Sequence, residues 1–226
     1  MKIVITNASH SSYASIICST IEQAAEKRGT GIAKRDPNYV ISKIEQSNAV
    51  IALDGDKFAG FCYIESWEHG KFVANSGLIV HPDYRGIGLA KKIKKHIFDL
   101  SRTKFPEAKI FSITTGLPVI KMNSDLGYKP VTFSELTEDE SFWKGCQTCI
   151  NYDVLQRTDR KMCLCTGMLY DPKSEVSKKR KIKEKVFQRL KRIKEGMYLK
   201  KEKKSKGSNK KNNQKNSKQT YRSIFS

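Results

Sequence analysis

The chain has 226 residues, enough for one domain with an appendage or for two small ones. Its formal charge of +20 suggests a nucleic-acid binder until the charge is located: residues 1–172 hold 22 Lys+Arg against 19 Asp+Glu, and residues 173–226 hold 21 against 4. The basicity therefore belongs to a tail, and no apolar run approaches the roughly 18 residues that a membrane-spanning helix needs.

The opening MKIVITNASHSS has one lysine and an apolar run too short for a secretory signal. Six cysteines without an export signal point to a reducing compartment, so a cytoplasmic location is expected.

Lys2–Thr6 alternates apolar and polar residues and reads as a strand. From Ser11 to about Arg28, apolar residues recur at helical spacing, with Ser11 or Ser12 as N-cap. A glycine-rich basic loop, RGTGIAKRDP, follows, and Pro37 suits the first turn of a short helix through Ile44. AVIALDGDKFAGFCYIES reads as a hairpin turning at Asp54-Gly55-Asp56.

GKFVANSGLIVH is a further strand, and Leu89 to about Arg102 an amphipathic helix with Ile93, Ile97 and Leu100 on one face. AKIFSITT is a strand, Val119–Leu126 a short helix ended by Gly127, YKPVTF a strand, and KMCLCTGMLY the last strand of the neutral region. Strands interleaved with helices predict a mixed α/β domain over residues 1–172. In the tail, 173–205 keeps apolar residues at helical spacing, and the polar low-complexity sequence after it predicts disorder.

Where the strand GKFVANSGLIVH gives way to the long helix, the sequence reads IVHPDYRGIGLAKKI. Backbone amides at a helix start form an anion site, glycine admits phosphates close to the backbone, and Arg85 can add a charge-assisted contact. The stretch is not a Walker A loop, lacking Gly-Lys-Ser/Thr, nor a dinucleotide fingerprint, lacking the third glycine. A strand-to-helix junction without a ligand is the plain alternative.

The string Val80-x-Pro82-x-x-Arg85-Gly86-x-Gly88-x-Ala90 resembles the acetyl-CoA loop of the GNAT N-acyltransferases, and the resemblance covers roughly residues 1–170. It implies a GNAT fold, a mixed central sheet flanked by helices, and acetyl-CoA or another acyl-CoA as cosubstrate. Arg85, Gly86, Ile87, Gly88, Leu89 and Ala90 would then meet the pyrophosphate. Leu78, Ile79 and Val80 would run beside the pantetheine arm, where two strands splay apart and a backbone N–H polarises the thioester carbonyl.

For the proton transfers, Glu65 and Glu68 end the preceding strand and could deprotonate an ammonium through water; each could equally be a solvated turn carboxylate. Many GNAT enzymes place a tyrosine four residues before a Gly-aromatic pair. The matching position here is Asn123, a site candidate that could instead bind cofactor or cap its helix.

Arg28, Lys34 and Arg35 crowd the loop that the resemblance places over the acceptor pocket, where cations would suit carboxylates; a solvated basic loop is the alternative. LGYKPVTFSELTEDESFWKGC also looks like the end of N-acetylglutamate synthase domains. The implied acceptor is glutamate or a similar acidic amino acid, in arginine biosynthesis, with acetyl or a larger acyl group as donor. The other class considered is a protein- or RNA-associated acetyltransferase tethered by its tail, through weak contacts with nucleic acid or an anionic surface.

Cys146-x-x-Cys149 and Cys163-x-Cys165 supply four thiols suited to a tetrahedral structural zinc, with Cys163 and Cys165 on one strand face. Buried free thiols and a redox pair are the alternatives, and Cys18 and Cys62 read as core.

Overall fold

The computed structural model describes residues 1–28, 35–174, 184–185 and 187–191. It comprises one compact unit, Met1–Lys173, and a second, Ser174–Ser226. The tail helix expected to about residue 205 and the disorder expected after it lie outside the described residues, apart from helical backbone at 184–185 and 187–191. No helix among the described residues is long and apolar enough to cross a membrane.

In chain order, β1 is Lys2–Ile5, α1 Ala14–Arg28, α2 Pro37–Glu45, β2 Ala49–Asp54, β3 Lys57–Trp67 and β4 Phe72–Val80. Then come α3 Leu89–Lys104, β5 Lys109–Thr114, α4 Leu117–Asp125 and β6 Lys129–Val131. Two short helices, α5 Glu140–Lys144 and α6 Tyr152–Arg157, precede β7 Thr166–Tyr170. The seven strands form one sheet in the order β1-β2-β3-β4-β5-β7-β6. Pairing is antiparallel except at β4–β5. This is a mixed sheet flanked by helices, as expected.

Strand alternation sorts the core into two faces. Val50, Cys62, Ile64, Val73 and Ile110 pack against Ile93, Ile97 and Leu100 of α3. On the opposite face Ile51, Phe61 and Tyr63 pack against Ile17, Ile21, Val40 and Ile44 of α1 and α2. A third cluster on Ala74, Phe111 and Leu169 gathers Trp143 of α5 and Leu155 of α6. Burying apolar side chains of this size contributes roughly 1.5–3 kcal/mol each.

Local chemistry moves several expected boundaries. Asn7, not Ser11 or Ser12, caps the start of the first helical segment, a 3-10 turn at Ala8–Tyr13, by accepting from the Ser9 amide. Asp36 caps α2 through the Tyr39 amide, ahead of Pro37. β7 begins only at Thr166, so Cys163 and Cys165 lie in the bends before it and share no strand face.

Candidate active site

The sheet opens at one place. β4 and β5 pair only from Phe72↔Lys109 to Ala74↔Phe111, and from Asn75 onward the two strands have no ladder between them. On its other side β4 is bulged against β3, with the register shifting between Phe61 and Tyr63. Gly77 sits in the bulge at φ +64°, with the Tyr63 ring over the space a side chain would need. A fork between two parallel strands exposes main-chain donors in the middle of a fold.

At the far end of β4 the chain turns into α3. Gly86 and Gly88 take φ +82° and +77°, and a Cβ on either would meet nothing within 4 Å. Their conformation calls for glycine, and the space in front of them is open. Gly88 starts α3 without a side-chain cap, so the first-turn amides keep their anion-binding capacity. Arg85 is exposed and its Nε donates to the Val80 carbonyl, 3.1 Å, which ties the loop to the strand. Leu89 is buried, Ala90 half-buried and Ile87 exposed.

Over the fork, on the α1–α2 face, lies a cavity of about 620 Å³ whose lining includes Arg35, Tyr39, Tyr63, Glu65 and Ser76. Leu78 and Ile79 also line it, and Val80 does not. Arg35 Nε donates to the Tyr63 hydroxyl at 2.5 Å. Burial penalises the guanidinium's charge, but Tyr63 and Glu65 more than offset this and raise its pKa. The Tyr39 hydroxyl donates a very short hydrogen bond to Glu65. Burial first, and the Glu65 charge second, push both phenols well above their ordinary range, so both stay protonated donors. The cavity thus holds a fixed cation and a hydrogen-bonded carboxylate on adjacent elements.

The remaining expected residues fall in different places. Arg28 ends α1, and Lys34 lies outside the described residues. Glu68 faces a separate polar depression; its carboxylate accepts from Thr137 Oγ1 at 2.7 Å and the Glu138 amide at 3.1 Å. Asn123, in the last turn of α4, is fully buried, its Nδ2 3.9 Å from Met168 Sδ and its backbone carbonyl accepting the Tyr128 amide. Neither lines the main cavity.

The zinc expected at Cys146, Cys149, Cys163 and Cys165 is not supported: no group of three or more His, Cys, Asp or Glu among the described residues could hold a metal ion. The four thiols line one wall of the cavity. Cys149 Sγ accepts from the Asn151 amide, and Cys163 Sγ lies 4.0 Å from the Asn151 carbonyl, so local backbone engages both. Burial pushes the Cys146 thiol up to about 11 and the Cys165 thiol to about 12.

On sequence, Asn75 and Ser76 of β4 could orient a water for the base, and the structure gives Asn75 a denser set of contacts. Asn75, the first residue past the last β4–β5 pair, also lines the cavity. Its Oδ1 accepts from Lys94 Nζ at 3.2 Å and the Tyr128 hydroxyl at 3.1 Å, and its Nδ2 donates to Ser101 Oγ at 2.8 Å. Tyr39 and Tyr63, by contrast, were missed. The period-two pattern does put Tyr63 on the face of Phe61 and Glu65, a signal that was available.

With this geometry in view, residues 20–122 match the model of the Acetyltransferase (GNAT) family. Among solved structures, N-acetylglutamate synthase of Neisseria gonorrhoeae, complexed with coenzyme A and N-acetyl-glutamate, aligns with a TM-score of 0.54 at 16% identity. The alignment covers 75% of this chain and only 34% of that one. A GNAT acetyltransferase of Staphylococcus aureus gives 0.54 at 12% identity, covering 76% and 98%. The Salmonella typhimurium protein yncA with acetyl-CoA gives 0.51 at 14%, covering 76% and 94%. At such identities the likeness is one of fold. No curated protein matches the sequence.

Proposed function

We propose that this chain, which carries a GNAT-family acetyltransferase domain, transfers an acyl group from acyl-CoA to the α-amino group of an amino acid bearing a side-chain carboxylate, such as glutamate. The observation that carries the acceptor is the presence of Arg35 and Glu65 in one cavity at the fork. An amino acid presents an ammonium and a carboxylate a few ångströms apart, and this cavity offers the complementary pair. The Neisseria enzyme, which was solved with N-acetyl-glutamate, is a distant relative in fold that supports the same class.

In this reading the open amides of Arg85–Ala90 hold the pyrophosphate, and Leu78–Val80 flank the pantetheine arm. The thioester lies in the fork, where the bulged backbone at Gly77 presents main-chain donors to the carbonyl oxygen. Arg35 takes an acceptor carboxylate by charge-assisted hydrogen bonds. Glu65, with Tyr39 holding its second partner position, draws the proton from the ammonium directly or through water. Nitrogen then attacks the acyl carbon, the C–N bond forms, the C–S bond breaks, and the electron pair leaves on sulfur.

A thiol-release assay of the full-length protein against an amino-acid panel, with acetyl-CoA and succinyl-CoA, tests this. Turnover should concentrate on dicarboxylic amino acids. Turnover confined to peptide or RNA-bound substrates would replace this reading with the macromolecular one.

A further inference from the structure

One buried charge is left unused by this account. Lys94 of α3 is 1% exposed, on the sheet face opposite the acceptor cavity. Its ammonium donates to Asn75 Oδ1 at 3.2 Å and stands over the Tyr128 ring, 5.2 Å from its centroid. Among the described residues no carboxylate pairs with it. The nearest titratable groups on the packed elements are the thiol of Cys62 on β3 and the phenols of Tyr128 and, behind it, Tyr170 on β7. Lys91, Lys95 and Asp125 share the α3–α4 groove with Lys94, and Asp125 is taken by Lys91 at 2.7 Å. Nothing anionic faces the Lys94 ammonium, and burial lowers its pKa to about 8.

A buried ammonium without a counter-charge is expensive, and proteins rarely keep one without a use. Position suggests the use. Lys94 lines a groove of about 430 Å³ between α3 and α4 and reaches, through Asn75, the point where β4 leaves β5. Asn75 cannot turn away, because both its carbonyl and its amide are engaged. The cation therefore stands directly behind the fork, across the sheet from Arg35 and Glu65.

We propose that Lys94 is the counter-charge for the sulfur of the CoA leaving group, a positioning residue that acts at the fork through Asn75. The inference rests on the acyl-CoA reading above. When the amine attacks and the C–S bond breaks, the electron pair lands on sulfur, and the resulting thiolate meets a positive field already in place. Lys94 keeps its own proton during the transfer, and the proton lost by the acceptor leaves on the opposite face. Tyr128, with its hydroxyl on the same Asn75 oxygen, holds the amide and stays protonated. A stabilised thiolate needs no proton at the moment it departs, so the fully buried Asn123 is not required as an acid.

The test is the ionisation of CoA bound to the full-length protein, followed by thiolate ultraviolet absorbance against pH. A cysteine thiol ionises at about 8.5, and free CoA titrated alongside sets the reference value for its own thiol. Bound to wild type, the CoA thiol should ionise at least about one pH unit lower, a tenfold change in the equilibrium. Lys94→Met, of similar length and no charge, should bind CoA within about threefold of wild type by calorimetry. It should return the bound thiol to the free value or above, and acyl transfer at neutral pH should fall about tenfold or more. A bound thiol that ionises at the free value in wild type overturns the proposal, whatever the variant does. So does a lowered value that Lys94→Met leaves in place. Wild type that does not bind CoA at all would overturn the acyl-CoA reading, and this inference with it.

Discussion

A Cβ placed on Gly77 would fall 2.9 Å from Cδ1 of Tyr63 and closer still to its Cε1. The bulge of β4 and the ring on β3 are thus one construction: the ring occupies the space that the missing side chain leaves. The same Tyr63 takes the Arg35 hydrogen bond, so backbone geometry at the fork and cation placement in the cavity are set by a single aromatic residue.

Gly77→Ala should therefore cost stability and acceptor binding together. The left-handed φ contributes about 1–2 kcal/mol of strain and overpacking against a buried ring about 1–3 kcal/mol more. Urea unfolding should show a lower midpoint at unchanged slope. A variant as stable as wild type would mean the bulge is not rigid.

Gly88→Glu should abolish acyl-CoA binding with the domain still folded. The carboxylate enters the open space before the first-turn amides of α3, and anions are favoured at that site only while it is empty. Titration calorimetry decides it: normal affinity in the variant would move the pyrophosphate elsewhere.

Arg35→Ala should raise KM for glutamate about 10- to 150-fold, the equivalent of a charge-assisted hydrogen bond of about 1.5–3 kcal/mol, with KM for acyl-CoA nearly unchanged. Deleting residues 173–226 is the control and should leave glutamate turnover in place. Steady-state kinetics that show the reverse pattern would favour a macromolecular acceptor.

Glu65 and Glu68 should separate cleanly. Glu65→Gln should lower kcat with a fold as stable as before, because its carboxylate faces the cavity. Glu68→Ala should lower stability by about 1–3 kcal/mol, since it leaves Thr137 and the Glu138 amide short of an acceptor, with kcat retained. If Glu68 proves the kinetically important one, the base assignment passes to it.

Lys94 predicts a pH dependence of stability. Its folded pKa of about 8 lies below the ordinary lysine value of 10.5, so the unfolded chain binds more protons between the two. Wild type should then gain stability relative to Lys94→Met as pH rises from about 8 towards 10.5, by on the order of 3 kcal/mol, and lose it as pH falls through 8. Paired denaturation curves across that window check it; parallel curves would mean the ammonium is not penalised.

The glycine loop that leads into α3 was legible in the sequence because local rules write it. Pro82, Gly86 and Gly88 answer to backbone angles, and Ile93, Ile97 and Leu100 to a helical period, all within a short stretch. The mixed sheet followed from interleaved strands in the same way. The cavity at the fork is assembled from distant pieces. Tyr39 and Glu65 meet across 26 positions, and Asn75 and Tyr128 across 53. No spacing rule announces such pairs. The cysteines show the opposite failure: their close spacing suggested a strand-borne ligand set, but β7 starts too late to align Cys163 with Cys165.

The strand order has a consequence for how the chain comes together. β7 lies between β5 and β6, and among the described residues β6 pairs with no other strand. Until Thr166–Tyr170 has been synthesised, the outer edge of β5, KIFSIT, presents unpaired backbone groups, and β6 has no partner to hold it. Such an edge recruits other strands. A ribosome-bound chain stalled before residue 166 should thus be a substrate for holding chaperones, and a product cut there should aggregate. Among the described residues β7 is the last strand in sequence but an inner one in the sheet, a wedge whose arrival joins β6 to β5 in a single step.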